Sequence, residues 1–232
     1  IENELDSKPP PQRAAMQGME GKNTPAAIWW SRATPAAIER MRRHYYANIS
    51  LLDDWVGRIV QALEERGQLD NTLFVFTSDH GDCLGDHQQV YKFSSHYDSV
   101  ARVPLVMAGP GVEALGMREY LVELIDLGPT FLELAGLEPL DGASGQSLCP
   151  LLSGQSEALH EVVFSEHGSR VMARTHEWKL VFYPGQSYGE LYDMQKDPDE
   201  LYNCYDDPLY AEAQRQMVEH MLHWYASTRM RR

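Results

Sequence analysis

The sequence has little of three features, and each shortage excludes a class of function. Its three cysteines, Cys83, Cys149 and Cys204, show no Cys-x-x-Cys spacing, which argues against a disulfide framework or a zinc knuckle. Only 20 Lys and Arg stand against 34 Asp and Glu, and the formal net charge of -14 argues against nucleic acid or an anionic membrane surface as a general partner. No apolar run approaches the roughly 18 residues of a membrane span.

The length and the first residues indicate a piece of α/β architecture. The 232 residues suffice for one large α/β domain, or for one domain with a smaller appendage. Residues 1–34 are rich in Pro, Gly and Gln, and predict an irregular connecting segment that Trp29 and Trp30 attach to the surface. The chain begins without Met or a signal peptide, so we expect it to continue from a longer protein. Periplasmic, secreted and cytoplasmic locations therefore all stay open.

Local signals predict a long helix near the start of the chain. Thr34 suits the N-cap, Pro35 suits the first turn, and Gly67 suits the residue just after the end. Between Pro35 and Glu65 the apolar residues recur every three or four positions. This pattern predicts an amphipathic helix.

Two apolar runs and a second helical pattern follow. Residues 73–77 and 103–108 predict buried strands, and residues 120–135 predict a helix that Pro129 should kink or divide. Helix, strand, loop, strand and helix is typical of a parallel sheet covered on both sides. We assign residues 35–158 to this α/β domain.

The texture of the sequence changes after about residue 159. Four short runs separated only by turn residues predict an antiparallel meander: 161–165, 170–174, 178–183 and 190–192. A closing helix is predicted over residues 208–226. Residues 159–232 are therefore predicted to form a small antiparallel α+β subdomain with a terminal helix.

Potential ligands follow the strand at 73–77. Asp79 and His80 come directly after it, where an open α/β sheet places its sites. An Asp with a His suits Ca²⁺ supplied with further carboxylates, or Mn²⁺ or Zn²⁺. The alternative is a polar turn in which Asp79 caps the residues that follow.

Three further polar residues are candidates for the same site. If the loop 81–92 folds back over Asp79, the Lys92 ammonium would neutralise an oxyanion there; otherwise Lys92 is a surface residue with a packed stem. His87 is a candidate partner of His80 or a substrate contact, and His96 is a candidate substrate contact. Alternatively, both histidines hydrogen-bond within their own loops.

Together these residues resemble the sulfatases, within the alkaline-phosphatase-like superfamily. The residues 77–87 resemble the family's metal motif, and Lys92 falls at the family's lysine. Further matching pieces occur in the same order along the chain: 46–53, 102–105, 109–111, 126–136, 145–154, 178–180 and 190–200. The resemblance implies a partial alkaline-phosphatase-like sheet with flanking helices.

The resemblance also implies a chemistry. A sulfatase hydrolyses a sulfate ester of a sugar or an aryl group, with one divalent metal, usually Ca²⁺, and a formylglycine nucleophile made from Cys or Ser. By this likeness Asp79 and His80 are metal ligands, and Lys92 is a catalytic residue that binds sulfate. No Cys-x-Pro-x-Arg or Ser-x-Pro-x-Arg sequence occurs here. We therefore expect the formylglycine and the remaining ligands in a missing N-terminal part, and this chain alone to be inactive.

Two alternatives stay open. Many sulfatases have Asn where this chain has His80, and related phosphonate and phosphodiester hydrolases use Asp-His, so the ester type is undecided. The chain could instead be a non-catalytic module that binds sulfated glycans. The C-terminal meander contributes His167 and Arg170 as candidate contacts, or only covers the main sheet.

Overall fold

The computed structural model describes residues 4–17, 33–92 and 96–229. Its α-helices are α1 (Pro10–Gln17), α2 (Pro35–Glu65), α3 (Asp98–Ala101), α4 (Leu127–Leu134), α5 (Cys149–Leu152) and α6 (Ala211–Arg229). Its strands are β1 (Phe74–Thr77), β2 (Leu105–Ala108), β3 (Val163–His167), β4 (Arg170–Arg174), β5 (Trp178–Phe182) and β6 (Glu190–Asp193). Within these ranges, no helix has the length and apolar character needed to cross a bilayer. Trp29 and Trp30 lie outside the described residues.

Strands β1 and β2 form a two-stranded antiparallel pair, with Phe74 opposite Ala108 and Thr77 opposite Leu105. The prediction that these strands run parallel is wrong. Parallel neighbours need a crossover connection, usually a full helix. The described part of the connection between β1 and β2 contains only a short 3-10 turn and the four-residue helix α3, and it returns the chain in the opposite direction.

The second sheet has the order β3-β4-β5-β6, and all its neighbouring strands are antiparallel. Helix α6 packs against it, so that Met217 and Met221 meet Ala173, Leu180 and Leu191 in one apolar core. The predicted antiparallel meander with a closing helix is confirmed. The mixed α/β class with flanking helices is confirmed as well.

Helix α2 has the predicted bounds. The Thr34 hydroxyl accepts a hydrogen bond from the Ala37 amide at 3.2 Å, and Gly67 takes a left-handed φ of 64° just after the helix. None of its residues is buried. Ile49 and Leu52 on its apolar stripe are 48% and 52% exposed. The middle of the stripe is thus about half exposed, whereas Ile38 and Leu63 near its two ends are partly buried.

The predicted helix over residues 120–135 is wrong in its first half, because α4 begins only at Leu127. Glu123 and Asp126 form a reciprocal capping box over the short 3-10 turn that precedes it. Pro129 then lies in the first turn of α4, where its missing N–H needs no partner. It neither kinks nor divides the helix.

The first described residues are helical where an irregular connection is predicted. Glu4–Ser7 is a 3-10 helix, and α1 follows it. Glu4, Lys8 and Gln12 are 5%, 1% and 5% exposed, at a spacing of four residues that places them on one side of the segment. A buried face made of polar residues gives no apolar periodicity, and this is why the sequence pattern does not reveal it.

Candidate functional site

A tight turn after β1 brings Asp79 and His80 to the same side. The Ser78 hydroxyl donates to the His80 carbonyl at 2.9 Å, and the His80 amide donates to Asp79 Oδ1 at 3.0 Å. Chain neighbours in an extended strand point to opposite faces, but this turn removes that restriction. His80 Nε2 consequently lies 3.6 Å from Asp79 Oδ2.

The tautomer of His80 follows from its second ring nitrogen. His80 Nδ1 is 2.9 Å from the carbonyl oxygen of Gly81, which can only accept. Nδ1 therefore carries the proton and donates it, so that the lone pair of Nε2 is left for another group. Histidines that bind metals are commonly oriented in this way, by a carbonyl behind the ring.

The loop after this turn folds back and brings Lys92 to His80, with 2.7 Å between Nζ and Nε2. Residues 84–88 of the loop contain several left-handed backbone conformations, which reverse the chain. Arg42 on α2 anchors the loop, because its Nε donates to the Leu84 carbonyl at 2.7 Å and its Nη2 lies 2.8 Å from Asp86 Oδ1. The three residues Asp79, His80 and Lys92 thus converge.

The donor set of this turn fits half of a metal site. The Asp79 side chain is 86% exposed, and the hydrogen bond from the His80 amide, helped by the charge of Lys92, lowers its pKa. A carboxylate beside an imidazole lone pair suits Mn²⁺ or Zn²⁺, and Ca²⁺ accepts it when further oxygens are supplied. Among the described residues, no third carboxylate, thiol or imidazole completes a ligand group here. The Lys92 ammonium is the cation that now contacts Nε2.

His96 lies on the wall of the same cleft as Asp79, His80 and Lys92. The cleft has a volume of about 2340 Å³. Pockets for small ligands usually measure roughly 300–1,000 Å³, so this is an open face rather than a closed pocket. His96 is 4% exposed, and neither of its ring nitrogens has a hydrogen-bond partner within the part of the chain that the structure describes. Burial and nearby positive charges lower its pKa from 6.5 to about 4.

The structure places His87 away from this convergence. Its Nδ1 lies 2.7 Å from Glu4 Oε1, and its ring stacks on Tyr97 with 3.6 Å between centroids. Burial by itself raises the pKa of Glu4, but the hydrogen bond and charge of His87, with the charge of Lys8, outweigh it and lower the pKa. His87 fastens the first described helices to the core, and its contact with substrate stays a prediction.

A second group of candidate ligands, not foreseen from the sequence, consists of Glu123, Asp126 and His160. The fully buried Asp126 accepts at Oδ2 from the Glu123 amide and lies 2.8 Å from His160 Nε2. Its Oδ1 accepts from the Gln146 amide at 2.8 Å. Glu123 accepts in turn from the amide of Phe164. These oxygens already have backbone donors, so the group fits a latch between α4 and β3. Its signal in the sequence, Glu-x-x-Asp ahead of a helix, is that of a capping box.

Comparisons with known families and proteins agree with the architecture. The model of the family described as "Sulfatase" matches residues 3–137. The model described as "N-sulphoglucosamine sulphohydrolase, C-terminal" matches residues 85–227. Arylsulfatase K of Homo sapiens is 38% identical over 187 residues, which cover 74% of this chain and 35% of the relative. Arylsulfatase K of Xenopus laevis is 39% identical over 186 residues, which cover 73% of this chain and 34% of the relative. The chain therefore spans about a third of the length of these curated relatives.

Solved structures show the same arrangement of elements. A phosphonate monoester hydrolase from Silicibacter pomeroyi superposes with a TM-score of 0.84 at 26% identity, over 97% of this chain and 48% of the other. A protein solved in complex with its substrate D-glucosamine-2-N,6-O-disulfate gives a TM-score of 0.76 at 28% identity, over 94% of this chain and 46% of the other.

Proposed function

Because the chain belongs to the sulfatase family, we propose that it is the C-terminal part of a metal-dependent sulfuric-ester hydrolase. Asp79 and His80 bind one divalent cation, and Lys92 binds the sulfate group. One observation carries the proposal: His80 Nε2 lies 3.6 Å from a carboxylate oxygen of Asp79 and 2.7 Å from the ammonium of Lys92. Two ligands and one cation that folding brings together form a site for an anionic ester.

Each of these residues has its own task. The metal, when bound, supplies Lewis-acid polarisation of the ester oxygens. Asp79 keeps its carboxylate ionised, because the His80 amide lowers its pKa. The Gly81 carbonyl orients the imidazole of His80. Lys92 donates hydrogen bonds from a compact charge, which neutralises negative charge on the sulfate.

The remaining parts of the site are expected in another part of the same protein. The sequence contains no Cys-x-Pro-x-Arg or Ser-x-Pro-x-Arg motif from which a formylglycine could be made. The half-exposed stripe of α2, with Ile49, Leu52 and Ile59, supports contact with a further apolar surface. We infer that the N-terminal part of the protein covers this stripe and supplies the nucleophile, and that the 232 residues alone do not turn over.

The test measures hydrolysis of 4-nitrophenyl sulfate by the full-length protein with added Ca²⁺. We expect turnover that a chelator abolishes and that Asp79→Asn lowers by at least about tenfold, since even groups that only orient a metal ligand are worth roughly 10–100-fold. Turnover that survives both treatments contradicts the proposal. The isolated chain is measured beside it, and robust activity there contradicts the inference that it lacks a nucleophile.

A phosphonate or phosphodiester hydrolase is the second candidate, favoured by His80 and by the similarity to the phosphonate monoester hydrolase. The ratio of kcat/KM for an aryl sulfate and for a phosphonate monoester, both measured on the full-length protein, decides between them.

A non-catalytic glycan-binding module is the third candidate function. Binding of a sulfated glycan that persists in Asp79→Ala and Lys92→Ala would support it.

A further inference from the structure

The loop that ends at Lys92 is held in a costly backbone conformation. Leu84, His87 and Gln88 have left-handed φ values of 51°, 51° and 55°, which residues other than glycine rarely adopt. Such conformations persist only where the surrounding structure enforces them. Within residues 83–90 the loop closes on itself through backbone hydrogen bonds of 2.7 to 3.3 Å. Its internal shape is therefore fixed, and its position depends on the side-chain contacts that it makes with the rest of the chain.

Two side chains from elsewhere in the chain hold this loop, one at the surface and one in the interior. The surface contact is made by Arg42, whose ion pair with Asp86 joins side chains that are 41% and 57% exposed. Water competes for both partners of such a pair. The interior contact joins His87 Nδ1 to Glu4 Oε1 at 2.7 Å, and these side chains are 6% and 4% exposed. Removing one partner of a buried pair leaves the other without a substitute, so the loop depends more on the interior contact.

The segment Glu4–Gln12 supplies the surroundings of the His87 ring on two sides. Glu4 contacts the edge of the ring at Nδ1. The face of the ring stacks on Tyr97, with 3.6 Å between centroids and an angle of 10° between the planes. The Tyr97 hydroxyl in turn donates to the side-chain oxygen of Gln12. The same short segment therefore holds His87 directly and also fixes the ring on which it stacks.

We propose that Glu4 is a positioning residue for Lys92, which it holds beside His80 by way of His87. The inference rests on the proposed function, in which Lys92 binds the sulfate that is cleaved. Only five positions of chain separate His87 from Lys92, and residues 89–90 between them are 4% and 3% exposed. A displacement of His87 is therefore passed on to the lysine. The ammonium of Lys92 lies 2.7 Å from His80 Nε2 only while the loop stays in place.

The experiment is a double-mutant cycle on the full-length protein, with kcat for 4-nitrophenyl sulfate as the readout. We expect Glu4→Ala to lower kcat about tenfold, because a misplacement of about 1 Å caused by a distant substitution can cost up to roughly 10²-fold. In the Lys92→Ala background, Glu4→Ala should change kcat by less than about twofold, since the group that it positions is gone. Asp6→Ala removes an exposed carboxylate from the same 3-10 helix and is the matched control, with wild-type kcat expected.

Glu4→Gln keeps an oxygen acceptor at the same place, so its loss of kcat should be smaller, and it carries the same cycle if Glu4→Ala does not fold. Wild-type kcat in Glu4→Ala would overturn the positioning role. An equal loss of kcat in the wild-type and Lys92→Ala backgrounds would also overturn it, because Glu4 would then act on the fold and not through Lys92.

Hydrogen exchange separates this proposal from the proposed function. If the wild-type protein cleaves no sulfate ester, the proposed function fails, and the backbone amides of residues 83–92 still report on Glu4. Faster exchange confined to these amides in Glu4→Ala, with Asp6→Ala like wild type, supports the positioning role. Exchange that equals wild type in Glu4→Ala, or that rises equally along the whole chain, overturns it.

Discussion

The Nε2 atom of His80 lies 2.7 Å from the Nζ atom of Lys92, and 12 positions of chain separate the two residues. The contact exists because the intervening loop reverses through left-handed residues and is held to α2 by Arg42. A lysine held in this way presents a fixed positive charge beside two ligand atoms.

Replacing Lys92 tests the role of that charge. In the full-length protein, we expect Lys92→Ala to lower kcat for an aryl sulfate by about 10²–10³, the usual loss when one donor to a developing oxyanion is removed. The kcat of Lys92→Arg should lie between those of Lys92→Ala and wild type, because arginine keeps the positive charge but not the compact shape of the ammonium group. Lys196→Ala, which removes an exposed lysine on another surface, should keep wild-type kcat. Similar kcat values in Lys92→Ala and wild type would show that the charge of Lys92 does not contribute to catalysis.

Replacing His80 tests metal preference. His80→Asn gives the site an amide oxygen, so we expect it to keep Ca²⁺ affinity and to lose affinity for Mn²⁺ and Zn²⁺, which favour imidazole. His80→Ala should weaken all three by at least roughly 10–100-fold. Calorimetric titration of the full-length protein measures each affinity, with the exposed His44→Asn on α2 as control. Unchanged affinities in His80→Ala would remove His80 from the ligand set.

Gly81 is required by packing. A Cβ added there would lie 2.2 Å from the backbone oxygen of Ser99, whereas one added at Gly57 on α2 meets nothing within 4 Å. We expect Gly81→Ala to destabilise the chain by about 1–3 kcal/mol. Gly57→Ala should stabilise it by about 0.5–1 kcal/mol, because it lies inside a helix. Urea unfolding of both variants measures the difference, and equal midpoints would contradict the close approach.

Lys179 is predicted to be more costly to replace than the exposed Lys196. It is 1% exposed, with Nζ 2.7 Å from Oε1 of the buried Glu200 and in contact with Asp98. Lys179→Met leaves the two carboxylates without their cation, so we expect a loss of about 3–5 kcal/mol in the free energy of unfolding at neutral pH. Lys196→Met breaks an exposed pair and should cost less than about 1 kcal/mol. Urea midpoints that agree between the two variants would contradict the prediction.

His96 should make stability fall as the pH falls. Burial, and then the charges of Arg170, His167 and Lys179, lower its pKa from 6.5 to about 4. Between about pH 6.5 and pH 4, His96 is therefore protonated in the unfolded chain but not in the folded chain. This costs the fold up to about 3 kcal/mol as the pH drops through that window. Urea unfolding at pH 7, 5.5 and 4 should show a shallower loss in His96→Gln, and identical slopes in both proteins would refute the assignment.

Local signals made part of the fold predictable. Thr34, Pro35 and Gly67 set the bounds of α2 because capping and left-handed turns depend on neighbouring residues only. Short runs separated only by turn residues located the C-terminal meander for the same reason. Asp79 and His80 stand out in the sequence as candidate ligands at a strand end, and the folding of loop 81–92 back over Asp79 is the stated condition for bringing Lys92 to them.

Long-range contacts decided the rest. The direction of β2 depends on how the chain returns after β1, which its residues do not encode locally. The partner of His87 is Glu4, 83 positions away, and no spacing in the sequence could identify it. The position of His96 also depends on a residue far along the chain, because Nζ of Lys179 donates to the His96 carbonyl, 83 positions away. Likewise, the first half of the predicted helix at 120–135 was lost to a capping box formed by Glu123 and Asp126.

The buried ammonium of Lys8 donates to the backbone carbonyl of Glu200, 192 positions later, and to the Tyr192 hydroxyl. During synthesis the chain emerges from its N-terminal end. Lys8 therefore cannot reach these two partners until nearly all of the chain described here has been synthesised. Contacts this distant in sequence close late and slowly. The segment from Glu4 to Gln12 is consequently expected to be among the last to dock, and a nascent chain stopped before Tyr192 should leave it open to protease.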